Sequence, residues 1–185
     1  MTWNASVRLA LALLLLTSAA QASLAQDSGL ANTLWRTQKQ SGWKTAANCK
    51  KSPTSIVAFT NCTGDYKGLC GSVRALNPAD NQLATQDLST LTDRRNPDPE
   101  LRSRKIIGIK IFANVTANGN MLVGDGYSPC RGTLGKICMR RTGERQLEQW
   151  ACLPGSSCSS SPGLFCTPKY VWTRVDRVPE GWVGK

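Results

Sequence analysis

Eight cysteines, at positions 49, 62, 70, 130, 138, 152, 158 and 166, lie within one stretch of a 185-residue chain. An even cysteine count in a short chain means disulfides if the chain is exported and metal or redox chemistry if it is not. The start of the chain decides between them. Arg8 supplies a weakly basic beginning, residues 9–16 are an unbroken run of Leu and Ala, and Ala20-Gln21-Ala22 and Ser23-Leu24-Ala25 follow as small-residue cleavage sites. This is the layout of a secretory signal peptide. We expect cleavage after Ala25, so that residues 1–25 are removed and the mature protein is periplasmic or secreted. Crossing a bilayer takes roughly 20 apolar residues; this run is shorter and no later one is longer, so the mature chain is not membrane-spanning. Structural zinc brings cysteines in pairs two to four positions apart, and no two here are that close, so no metal is expected. Three pairs are instead eight positions apart (62 and 70, 130 and 138, 158 and 166), which suits a staple across a hairpin.

The chain contains no histidine. That removes the usual general base at neutral pH, every Ser-His-Asp or Cys-His arrangement and every His-ligated metal. We therefore expect no catalytic residues, no cofactor and no enzyme. A formal net charge of +11 favours anionic partners. The tightest basic groups are Arg94-Arg95, Arg102 with Arg104-Lys105, and Arg140-Arg141. None is interleaved with aromatics on a nucleic-acid motif, so no specific nucleic acid is expected.

Strand signals dominate the walk along the chain. Residues 32–39, 54–60, 69–76, 106–116, 121–127, 133–140, 145–152 and 165–175 read as strands from their β-branched, aromatic and alternating apolar residues. Asn118-Gly119 marks a tight hairpin. Residues 77–105 interrupt the rhythm as a long polar loop, with one short helical turn in which Asp98 caps, Pro99 takes the first position and residues 100–104 follow. The expected fold is all-β: an eight-stranded up-and-down antiparallel barrel with this loop over one end, a two-sheet sandwich being the alternative. Residues 26–33 lead in, residues 34–175 form the barrel, and residues 176–185 are a mobile tail.

In such a barrel the first and last strands are neighbours. Trp35 lies on the first; Tyr170, Trp172 and Arg174 share one face of the last. We expect Trp35, Trp172 and Arg174 to close the barrel, the Arg174 guanidinium stacking on the Trp35 indole, a contact of roughly 0.5–2 kcal/mol.

The chain resembles a bacterial family, domain of unknown function family 2147, small exported proteins with a lipocalin-like fold. The matching residues are Leu34-Trp35-Arg36-Thr37, then Leu69-Cys70-Gly71, then Asp93 with Asn96-Pro97-Asp98-Pro99-Glu100-Leu101-Arg102-Ser103-Arg104 running into Ile106-Ile107-Gly108, then Tyr127-Ser128-Pro129, and Phe165-Cys166 leading to Trp172-Thr173-Arg174-Val175. Two departures stand out: Thr33, where lipocalin-like chains often have Gly, and Cys130-Arg131-Gly132, where the family is usually acidic. The resemblance implies a lipocalin-like barrel and no defined activity. It also implies the pairs Cys62–Cys70 and Cys152–Cys166, although the repeated spacing favours Cys158 with Cys166; Cys130–Cys138 and Cys49–Cys158 are then left.

Three functions follow. The first is a carrier of a small hydrophobic or amphiphilic ligand, with Val73, Ala75, Ile107, Ile109 and Ile111 facing inward, residues 77–105 as a lid, and Asp93, Asn96, Asp98, Arg102, Arg104 and Tyr127 as ligand-binding residues. Arg102 or Arg104 would meet an acidic head group. The same inward residues would equally fill a solid core. The second is a module that binds an anionic envelope component or a protein partner through its basic surface. The third is a glycosidase-type pair drawn from Asp93, Asp98 and Glu100; Asp98 is better explained as a cap and Asp93 as a turn residue.

Overall fold

A computed structural model of the chain describes residues 29–38, 53–80 and 87–184. The leader, residues 26–28 and Cys49 lie outside these residues. Nine strands run in chain order: β1 Thr33–Arg36, β2 Ser55–Asn61, β3 Leu69–Leu76, β4 Lys110–Asn118, β5 Met121–Ser128, β6 Thr133–Gly143, β7 Gln146–Cys152, β8 Tyr170–Val175 and β9 Val183–Gly184. Each of β1 to β8 pairs antiparallel with its chain neighbours, and β1 with β8 closes the ring. The fold is a closed eight-stranded up-and-down barrel, which leaves no long edge exposed.

Local chemistry explains the boundaries. β4 and β5 join through Gly119-Asn120, where Gly119 has φ 61°, a left-handed turn that glycine adopts without a side-chain clash. β4 begins at Lys110 rather than 106 because residues 106–109 are used differently. Ile106 and Ile107 pack with Val73, Leu76, Leu88 and Leu91 in a small cluster outside the main core. The amide of Ile106 donates to the Leu91 carbonyl. β8 begins at Tyr170 rather than 165 because Cys166 is bonded to Cys152, and Thr167 exchanges hydrogen bonds with Ala151 through its amide and hydroxyl.

The C-terminal residues are not a free tail. β9 adds to β3 beside Ala75 and Leu76, on the stretch where β4 has already left, since the β3–β4 ladder stops at Ser72 and Lys110. A Cβ on Gly184 would lie 2.5 Å from Ala75 Cβ, so glycine is what allows this approach.

The first and last strands are neighbours, as expected, and Trp35 stands directly opposite Arg174 in the β1–β8 ladder. The stack does not form. The cation–π contacts among the described residues are Arg104 over Tyr127, Lys110 over Tyr66 and Lys169 over Trp150. Trp35 is instead buried in the core, and its indole N–H donates to Thr33 Oγ1 at 2.8 Å. Thr33 Oγ1 in turn donates to the Leu30 carbonyl. The residue that departs from the lipocalin-like glycine thus satisfies the buried indole, and the ladder itself closes the barrel. Trp172 packs against Phe112 at 5.6 Å between ring centroids.

Cys62–Cys70 staples the β2–β3 hairpin, and Cys152–Cys166 ties the end of β7 to the following loop. The other expected pairs are overturned, because Cys138 is bonded to Cys158. Cys130 precedes β6, whereas Cys138 sits well along it. At about 3.3 Å per residue an extended strand holds such positions far apart. Side-chain alternation puts Ile137 and Met139 in the barrel core and turns Cys138 outward, beside Trp150 on β7. The loop after β7 crosses that outer face, and Cys158 meets Cys138 there. Cys130 is also disulfide-bonded.

Candidate ligand-binding site

The long loop is held by a knot of polar side chains around Asp93. Its carboxylate is completely buried. Oδ2 accepts from Arg104 Nε at 3.1 Å, Arg104 Nη2 at 2.9 Å and Asn96 Nδ2 at 2.7 Å; Oδ1 accepts from the Tyr127 hydroxyl at 2.6 Å. The Asn96 side-chain oxygen accepts from the Asp98 amide, the Asp98 carboxylate accepts from the Glu100 amide at the start of the 3-10 turn Pro99–Leu101, and Arg102 Nε donates to the Asn96 carbonyl at 2.8 Å. The Asn-Pro-Asp-Pro stretch is therefore a pair of nested side-chain-to-backbone turns, with proline at the first position of the second. A buried carboxylate is tolerated only when paired and hydrogen-bonded, and Asp93 has both. Burial and the hydrogen bond to Asp93 push the Tyr127 hydroxyl up to about 12, so it is a neutral donor at ordinary pH.

Of the six residues expected to bind ligand, five are thus committed to the loop's own architecture. Asp93, Asn96, Asp98, Arg102 and Arg104 form the knot and do not line the cavity. Tyr127 does both: its hydroxyl anchors the knot while it lines the barrel opening.

That opening is a cavity of about 970 Å³, at the upper end of the range for small-molecule sites. Each strand of the closed barrel, or the residues just beyond it, contributes: Thr37 after β1, Ser55, Val73, Ile111, Gly126, Ile137, Ala151 and Trp172. All the longer connections sit at this end. The opposite half is solid, filled by Trp35, Val57, Phe59, Leu69, Val115, Met139 and Leu147. The barrel is therefore packed at one end and open to a cavity at the other. Of the residues expected to face inward, Val73 and Ile111 line the cavity, Ala75 and Ile109 are buried, and Ile107 packs in the outer cluster with Leu88.

Polar side chains at the cavity include Thr37, Ser55, Ser128, Thr133 and Gln149. Gln149 is buried on its wall, and its side chain makes no hydrogen bond to the described residues. Arg94, Arg95 and Arg131 stand at the mouth. The basic pair Arg94-Arg95 is visible in the sequence, but its place is not: Asp93 is buried in the knot, and the two arginines that follow it are exposed. Gly132, at φ 68°, receives this segment, since a Cβ there would lie 1.8 Å from the Arg95 carbonyl oxygen. Among the described residues no three His, Cys, Asp or Glu side chains are grouped to hold a metal ion, and no helix is long and apolar enough to cross a membrane.

No curated protein sequence matches the chain. A solved structure, protein HP1028 from the human pathogen Helicobacter pylori, described as belonging to the lipocalin family, superposes with a TM-score of 0.54 at 15% identity, over 78% of this chain and 82% of that one. The likeness shows the fold: a lipocalin-like barrel. A family model described as an uncharacterized protein conserved in bacteria, DUF2147, matches residues 35–161, a span that takes in the barrel from Trp35 to β7, the polar knot and the mouth. The chain belongs to the DUF2147 family of bacterial proteins.

Proposed function

We propose that this protein is an exported, non-enzymatic carrier of a small amphiphilic molecule, held with its apolar part inside the hollow half of the barrel and its acidic end at the arginines of the mouth. The observation that carries this reading is the cavity: about 970 Å³, walled by Val73, Ile111, Phe112, Ile137, Ala151 and Trp172, with Arg94, Arg95 and Arg131 at its opening. Gln149 offers an amide at mid-depth for a polar group along the chain of the ligand. Of the carboxylates that suggested hydrolysis, Asp93 is enclosed by its partners and Asp98 is a cap. Export through a leader of residues 1–25 puts the carrier in the periplasm, and the disulfides suit that oxidising compartment.

The test is the mass of the mature protein purified from a periplasmic extract, under native and denaturing conditions. An excess native mass that is lost on denaturation supports the carrier. A soluble probe with an apolar body and an acidic group, anilinonaphthalene sulfonate, should bind the emptied protein, and Ala151→Phe, which fills the cavity wall, should weaken that binding at least roughly tenfold, as one large apolar contact is worth. A bare native mass together with a probe insensitive to Ala151→Phe would sink the reading.

A further inference from the structure

We infer that the mouth of the barrel docks on an anionic lipid bilayer, with apolar side chains of its rim inserted among the headgroups. Large apolar residues exposed at the surface are normally scattered, and a contiguous group marks an interaction site. Here Leu134, Leu153, Leu164 and Phe165 are 67%, 59%, 84% and 64% exposed, and all four line the same opening. They are also next to one another. The Leu153 amide donates to the Phe165 carbonyl at 3.0 Å, Cys152 pairs with both Lys136 of β6 and Cys166, and Leu134 lies two residues before Lys136.

The display is fixed covalently. Cys152–Cys166 and Cys138–Cys158 staple the loop that carries Leu153, Leu164 and Phe165 to β6 and β7. Leu164 and Phe165, two and one residues before the bonded Cys166, have little freedom to fold inward. Beside this patch stand Arg94, Arg95 and Arg131: Arg131 lies three residues before Leu134, and the Arg95 carbonyl lies against Gly132. The ion pairs among the described residues are Arg104–Asp93, Arg140–Glu148, Arg145–Asp176 and Lys169–Glu148, so no carboxylate of the described protein neutralises Arg94 or Arg95.

Protruding Leu and Phe beside the guanidinium groups of Arg94 and Arg95 is the composition that holds a surface at the headgroup boundary of an anionic membrane. The net charge of +11 acts in the same direction. The shape also favours a bilayer over a protein partner, because the rim surrounds a hole. A protein would have to plug that hole, whereas a bilayer offers it an acyl chain. The docking stands on the rim alone; its consequence, that the amphiphile passes directly between leaflet and cavity, rests on the carrier reading above.

The test is flotation of the mature protein with vesicles of phosphatidylglycerol and phosphatidylethanolamine, against vesicles of phosphatidylcholine. The protein is expected to float with the anionic vesicles and to partition at least roughly tenfold less to the neutral ones. The double change Leu164→Ser with Phe165→Ser should reduce anionic partitioning about tenfold or more with an unchanged melting temperature, both side chains being exposed. Arg94→Gln with Arg95→Gln should reduce it about 10- to 30-fold, at about 1 kcal/mol per cation near an anionic surface. Ala151→Phe should float like the wild type, because it alters the cavity and spares the rim. The proposal is overturned if the wild type stays with the unbound fraction, if it floats equally with neutral vesicles, or if the Leu164 and Phe165 variant floats undiminished. Failure of the soluble probe to bind, with flotation intact, counts against the carrier and leaves the docking standing.

Discussion

Replacing Arg104 by methionine isolates the charge at the centre of the loop. Methionine keeps much of the apolar stem and removes the guanidinium, and with it two of the four hydrogen bonds that Asp93 accepts. The carboxylate left behind is 0% exposed and keeps only neutral donors, Asn96 Nδ2 and the Tyr127 hydroxyl. Breaking a buried pair by removing one partner costs about 3–5 kcal/mol. The Arg104 side chain is 37% exposed, so water can reach the vacated space, and the lower end, about 3 kcal/mol, is expected. For a chain of this size that is on the order of 6–12 °C in Tm. Adding Asp93→Asn to Arg104→Met removes the stranded charge and should restore at least half of the loss. Urea unfolding with the disulfides intact measures both variants. Hydrogen exchange at the amides of Asp93 and Asn96, which donate to the Arg104 and Asp93 carbonyls, shows whether the loop opens before the barrel does. A single variant within about 1 kcal/mol of the wild type, with unchanged exchange, would refute the view that the pair holds the loop; so would a double variant no better than the single one.

Three further outcomes are expected. The Tyr127 hydroxyl titrates near 12 in the folded protein against a usual 10.0, so its contribution is complete below about pH 10 and is lost as pH rises through 12; Tyr127→Phe should cost roughly 1–2 kcal/mol at neutral pH and remove that alkaline limb from the stability profile. Gly132→Ala should destabilise by upward of about 1–2 kcal/mol, since alanine at φ 68° is strained and its Cβ would strike the Arg95 carbonyl; an unchanged urea midpoint would show that the Arg95 segment does not rest on this turn. Cys138→Ser with Cys158→Ser opens a crosslink of sequence separation 20, worth about 3 kcal/mol, and should let solvent reach Trp150 beneath it, seen as a red shift in fluorescence.

Much of this fold is legible in the residues, because strands leave a period of two. β3 has the boundaries that its alternation predicts, Asn118-Gly119 marks the β4–β5 turn, and Asp98-Pro99 marks the 3-10 start. What escapes is whatever depends on contacts made across the fold. Residues 106–109 carry the same β-branched signal as β4, yet Ile106 and Ile107 pack with Leu88 and Leu91 while Gly108 and Ile109 hydrogen-bond to Val73 of β3, and no local pattern separates such a segment from a regular strand. Trp35 and Arg174 are on neighbouring strands, as the up-and-down order implies, but what each side chain touches depends on Thr33 and the core. A spacing of eight staples a hairpin at Cys62–Cys70 because a turn lies between those residues; from 130 to 138 the chain runs into a strand, and the same spacing means nothing. The Asn-Pro-Asp-Pro stretch invites a ligand-binding reading because polar residues in a long loop suggest a site. Here they build the support, and the arginines beside the buried Asp93 are what reach the opening.

The division of the barrel into a packed end and a hollow end separates two kinds of selection on one sequence. At the mouth, side chains such as Arg94, Arg95, Leu164 and Phe165 are exposed and the loops are fastened by sulfur and by the Asp93 knot. The side chains on which folding depends most, from Trp35 to Leu147, lie at the other pole. If the proposed carrier reading holds, exposed residues such as Arg94 and Arg95 can be exchanged at the mouth without touching the packed end of the barrel.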